Sequence, residues 1–135
     1  MKQFIQVMVV EDDDVDYRRV ERALTRHDCR DVAFELVRAT SMKSATEQLA
    51  EITVDVIMLD LNLPDSRGLK TVTEVQGLAP GVPIVALTGL DDDRVAINVV
   101  QAGAADYLNK FAFAPDTLIR MITKTIAGTA VSDSC

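Results

Sequence analysis

Five short segments that read as strands, three of them strongly apolar, alternate along this chain with segments whose apolar residues recur at helical spacing. The strand segments are 4–10 (FIQVMVV), Val32–Ala39, the stretch up to Asp60 (VIMLD), Pro83–Thr88 (PIVALT) and Asp106–Asn109. Tyr17, Val20 and Leu24 mark one face of a helix from Val15 to Thr25, and Met42, Ala45 and Leu49 mark another from Met42 to about Ala50. Leu69, Val72 and Val75 lie on or near the apolar face of a third, closed by Ala79-Pro80-Gly81. Asp91–Asp93 introduce a fourth, with Val95, Val99 and Ala102 in register and Gly103 at its end. Pro115 suits the first turn of a fifth, with Leu118, Met121, Ile122 and Ile126 inward. Strands alternating with helices over connections of a few residues imply an α/β fold: a mostly parallel sheet with helices on both faces.

The chain has 135 residues, which suits one domain, placed here at 1–127 with a flexible tail at 128–135. Its formal net charge of -7 argues against direct binding of nucleic acid and against an anionic membrane surface. No apolar run is long enough for membrane insertion. Cys29 and Cys135 lack metal-ligand spacing and read as reduced thiols, so a cytoplasmic location is expected. His27, the single histidine, reads as a solvated cation near a helix end.

Four strand ends carry polar groups: Glu11-Asp12, Asp60, Thr88 and Lys110. In a parallel sheet these share one edge, where α/β sheets bind ligands. Strand propensity alone would accept apolar residues there. Carboxylates about 5 Å apart repel by roughly 3 kcal/mol, so three together call for a cation. An all-oxygen set with an open mouth suits Mg2+, and a backbone carbonyl near Asn62 could complete it. Lys110 and Thr88 could hold an oxyanion beside the metal, with Asp60 as nucleophile. Each residue alone has a plainer reading. Glu11–Asp14 would serve as a helix cap, Lys110 as a surface lysine, Thr88 as strand-end chemistry and Tyr107 as a core aromatic.

The motifs VVEDD, IMLDLNLPDSRGL, ALTG and ADYLNK, in this order and each at a strand end, resemble the receiver domain of two-component response regulators. The resemblance implies a doubly wound, flavodoxin-like sheet of five parallel strands in the order 2-1-3-4-5. It implies that Asp60 accepts a phosphoryl group from a sensor histidine kinase or histidine phosphotransfer protein. Asp12, Asp60 and the Asn62 carbonyl would bind Mg2+ directly, with Glu11 acting mainly through water. Thr88 and Lys110 would contact the phosphoryl group, and Tyr107 would turn inward as Thr88 moves. A downstream protein would then meet the surface of the fourth helix, fifth strand and fifth helix, and a phosphorylation-dependent homodimer is allowed. Such a module is not an enzyme with outside turnover; it phosphorylates itself and slowly dephosphorylates.

The chain departs from the family in two places near the site. Phe111 follows Lys110 where many receivers have proline, and Leu90, two after Thr88, is apolar, which implies slow self-hydrolysis. Two other functions compete. A receiver-like scaffold would work through protein contacts alone. A Mg2+-dependent phosphohydrolase would need a second acid two residues after its nucleophile, where this chain has Asn62.

Overall fold

The structure is a computed structural model that describes residues 3–26, 32–89 and 93–126. Five strands and five helices alternate: β1 (Gln3–Val10), α1 (Asp14–Thr25), β2 (Val32–Ala39), α2 (Met42–Leu49), β3 (Val56–Asp60), α3 (Leu69–Leu78), β4 (Ile84–Thr88), α4 (Asp93–Gln101), β5 (Asp106–Asn109) and α5 (Pro115–Thr125). All neighbouring strands pair in parallel, in the order β2-β1-β3-β4-β5. The fold class and strand order anticipated from the sequence are those observed.

Alternation along the central strands divides the core in two. Val7, Val9, Val56, Met58, Val85 and Leu87 face one side, where they meet Val20 and Leu24 of α1 and Leu118, Ile119 and Ile122 of α5. Met8, Val10, Ile57, Leu59, Ile84 and Ala86 face the other, against Met42 and Ala45 of α2, Val72 and Val75 of α3 and Val99 of α4. β3 and β4 are buried at every position, as expected of parallel strands covered on both faces. That burial holds the strand ends rigidly.

Helix starts are set by local chemistry. The Asp13 carboxylate accepts from Asp16 N at 2.9 Å and caps α1; the Ser41 hydroxyl accepts from Ser44 N at 3.0 Å and caps α2. Asp65, in the loop after β3, accepts from Met42 N and Lys43 N at 2.9 and 3.0 Å. These two bonds hold its carboxyl below its usual range and tie that loop to α2. Gly68 begins α3 at φ +78°, a region that side-chain-bearing residues avoid.

One helix face differs from the periodic expectation. Leu69 is exposed, and the buried face of α3 consists of Thr71, Val72 and Val75. At about 100° per residue, Leu69 lies about 60° beyond Val72, outside the arc on the side away from Thr71 and Val75. Thr71 tolerates full burial because its hydroxyl pairs with Ser66 at 2.8 Å. Leu90, Asp91, His27, Cys29, Cys135 and the 128–135 tail lie outside the described residues, as does the Val95 side chain.

Candidate functional site

Strand register assembles the site. Val10 pairs with Leu59, so the next residues, Glu11 and Asp60, leave the sheet edge side by side. Asp60 pairs with Leu87, and Thr88 pairs with Asn109. Lys110 N–H donates to the Thr88 carbonyl at 2.9 Å, which brings its side chain back over the same edge. Glu11, Asp12, Asp60, Asn62, Thr88 and Lys110 therefore converge on one rim of the sheet, as the sequence anticipates.

One carboxylate oxygen from each of Glu11, Asp12 and Asp60 lies within 4.8 Å of the other two. Glu11 and Asp60 are buried and Asp12 is exposed, so the cluster opens to solvent on one side. Full ionisation would cost roughly 3–4 kcal/mol for each pair at that separation. Glu11 registers the conflict. Desolvation first, then its hydrogen bond and charge repulsion with Asp60, push its pKa up to about 8; Lys110 and the Asp13 N–H pull the other way. The donors are all hard oxygens at a water-accessible mouth, and the crowded charge needs a counter-ion. The set fits a hard divalent cation.

Lys110 is the cationic partner. Its Nζ lies 2.9 Å from Asp16 Oδ2, 3.1 Å from Glu11 Oε1 and 3.4 Å from Asp60 Oδ2. Burial alone would lower its pKa; hydrogen bonds to Asp16 and Glu11 and the charges of Asp60 and Glu11 outweigh this and raise it. The ammonium thus stays charged at the centre of the rim. Asn62 N donates to Asp60 Oδ1 at 3.1 Å and holds the carboxylate plane. The Thr88 hydroxyl is almost buried and makes a long contact of 3.4 Å to the Leu108 carbonyl.

Two site residues have no motif to mark them. Asp16 makes the shortest ion pair to Lys110, yet in sequence it is one more acid in a first helical turn, which the macrodipole explains equally well. Arg38 on β2 clamps the acidic loop. Its Nε donates to the Glu11 carbonyl at 3.1 Å and Nη2 to the Asp12 carbonyl at 3.3 Å, while Nη1 pairs with Asp14 Oδ1 at 2.8 Å. Its guanidinium also stacks 4.6 Å from the Tyr17 ring centroid.

Tyr107 is 41% exposed, so the plain core reading of this aromatic is wrong: its place on the short outer strand β5 turns the ring to solvent. After Lys110, the Phe111 N–H donates to Asn109 Oδ1 at 3.0 Å, a bond that proline at this position could not make.

The family model described as response regulator receiver domain matches residues 7–123. Transcriptional regulatory protein ZraR of Escherichia coli O157:H7 is 30% identical over 130 residues, which cover 96% of this chain and 28% of that protein. The chain thus spans little more than a quarter of that relative. A protein from Chloroflexus aurantiacus described as a response regulator superposes with a TM-score of 0.80 at 28% identity, over 93% of this chain and 99% of the other. The receiver domain of a sensor histidine kinase from Pseudomonas aeruginosa PAO1, with a magnesium ion coordinated in its active-site cleft, superposes with a TM-score of 0.73 at 27% identity, over 93% of this chain and 100% of the other.

Proposed function

Because the chain belongs to the response regulator receiver family, we propose that Asp60 takes up a phosphoryl group from a sensor histidine kinase or a histidine phosphotransfer protein. The observation that carries this reading is the convergence of Glu11, Asp12, Asp60 and Lys110 on one crevice at the strand ends. In the transfer, an Asp60 oxygen bonds to phosphorus while the phosphorus–nitrogen bond of phosphohistidine breaks, its electron pair returning to the imidazole.

Each residue of the rim has a part. The Asn62 N–H fixes the Asp60 carboxylate. The Lys110 ammonium, already 3.4 Å from Asp60, offsets charge on the incoming phosphoryl oxygens. The Thr88 hydroxyl, at the end of the neighbouring strand, donates to one of those oxygens. Asp12, Asp60 and the Asn62 carbonyl would hold Mg2+, with Glu11 helping from behind, mainly through water. The ion would supply positive charge where phosphoryl oxygens gather. The magnesium in the Pseudomonas receiver supports that choice of metal.

The output would be a change of surface. Ile97 and Val100 of α4 and Tyr107 of β5 expose apolar area on the α4–β5–α5 side. A phosphoryl group adds about −1.5 to −2 charges and fresh acceptors at the rim, enough to bias Thr88 and then Tyr107 between two positions. A downstream protein, or a second phosphorylated copy, would read that face. Turnover of an outside substrate is not part of this role, and the phosphoryl group leaves by slow self-hydrolysis. No helix among the described residues is long and apolar enough to cross a membrane; a phosphohistidine donor would place the domain in the cytoplasm.

Acetyl phosphate with Mg2+ tests the reading by intact mass. One added phosphoryl mass on the wild type and none on Asp60→Asn is the expected pair. An unmodified wild type, or equal labelling of the variant, refutes it and leaves the phosphorylation-independent scaffold.

A further inference from the structure

A cavity of about 380 Å³ opens beside Asp60, Thr88 and Lys110, and the Phe111 side chain forms part of its wall. Phe111 also lines a second cavity of about 270 Å³ on the α1 side, with Arg19, Arg22 and Phe113. Phe111 therefore stands as a partition between the crevice that holds Asp60 and the groove along α1. Its seat is close. A Cβ added to Gly89, the residue after Thr88, would fall 3.0 Å from the ring edge. Lys110 Nζ lies 5.5 Å from the ring centroid, so the ring also faces the site's cation. The Asn109 side chain fixes the Phe111 backbone. Yet the side chain is 55% exposed, so it contributes little to the core. A large apolar ring held in the open beside a charged crevice has a use there: it displaces water.

We propose that Phe111 is a residue that controls access to the phosphorylated Asp60 and sets how long the acyl phosphate survives. This rests on the phosphoacceptor reading above. In the step it limits, a water oxygen bonds to phosphorus and the phosphorus–oxygen bond to Asp60 breaks. The electron pair stays on the Asp60 carboxylate, and the water proton passes to solvent. The ring narrows the path for that water through the crevice it shares with Thr88 and Gly89. It also screens the side from which a small phosphodonor would enter.

The test compares wild type, Phe111→Ala and Phe111→Trp, each phosphorylated with acetyl phosphate and Mg2+ and then freed of donor. The half-life of the phosphorylated form is followed by intact mass. The expected result is a roughly 3- to 10-fold shorter half-life for Phe111→Ala and a near-wild-type one for Phe111→Trp. Thermal midpoints and Mg2+ affinities should match across the three, which separates shielding from a general structural effect. Equal half-lives for wild type and Phe111→Ala overturn the inference, as does failure of the tryptophan to restore the lifetime. If the wild type takes up no phosphoryl group, the functional reading falls and the inference with it. Uptake with unchanged half-lives overturns the inference alone.

Discussion

Replacing Glu11 by glutamine should change how stability depends on pH in the metal-free protein. Glu11 has a folded pKa of about 8 against an ordinary 4.5. Between those values the folded chain holds a proton that the unfolded chain has released. A raised pKa of this kind gives stability that is fully present below pH 4.5 and is lost as pH rises through 8. The slope is at most about 1.4 kcal/mol per pH unit for one proton. The nominal sum over the window is about 5 kcal/mol, but the cluster opens to solvent at Asp12, and screening reduces this to roughly 2 kcal/mol. That corresponds to a fall in melting temperature of about 8 °C for a chain of this size.

The glutamine side chain would have no proton to lose, and Lys110 would keep Asp16 and Asp60 as partners. The assay is urea or thermal unfolding of both proteins from pH 4.5 to 8.5 in EDTA, then with Mg2+. The difference between them should grow in favour of Glu11→Gln as pH rises. Mg2+ should stabilise the wild type more at pH 8 than at pH 6, because the ion binds the ionised cluster. A difference that stays flat across the window would refute the account of Glu11, since nothing else in the substitution titrates there.

Two further outcomes follow from the residues that no motif marks. Asp16→Asn removes the shortest ion pair to Lys110; a loss of roughly 1 kcal/mol in urea unfolding is expected, with labelling of Asp60 retained. An unchanged midpoint would show the pair to be idle. Arg38→Ala frees the carbonyls of Glu11 and Asp12 and should weaken Mg2+ binding several-fold in a calorimetric titration, as loss of a supporting contact does. Arg38→Lys should not restore it, because one ammonium cannot reproduce the planar fork. Wild-type affinity in either variant would remove Arg38 from the site.

Much of this protein is written in short-range patterns. Apolar runs at strand spacing, helices between them and turn residues at their ends are local properties, and they imply a parallel sheet. Because parallel strands present their carboxyl ends together, the sheet edge that gathers Glu11, Asp12, Asp60, Thr88 and Lys110 could be read before any coordinates. The exposure of Leu69 could not, because three-residue spacing drifts around a helix and burial depends on the neighbour it meets. Asp16 and Arg38 were invisible for a related reason. Each acts by reaching a residue far away in the chain, Lys110 in one case and the backbone of Glu11 and Asp12 in the other. The raised pKa of Glu11 and the position of the Phe111 ring beside Gly89 have the same origin. Periodicity assigns a residue to an element and an edge. Charge crowding, desolvation and the seat of a ring depend on distances of a few ångströms between elements, and those exist only once the chain has packed.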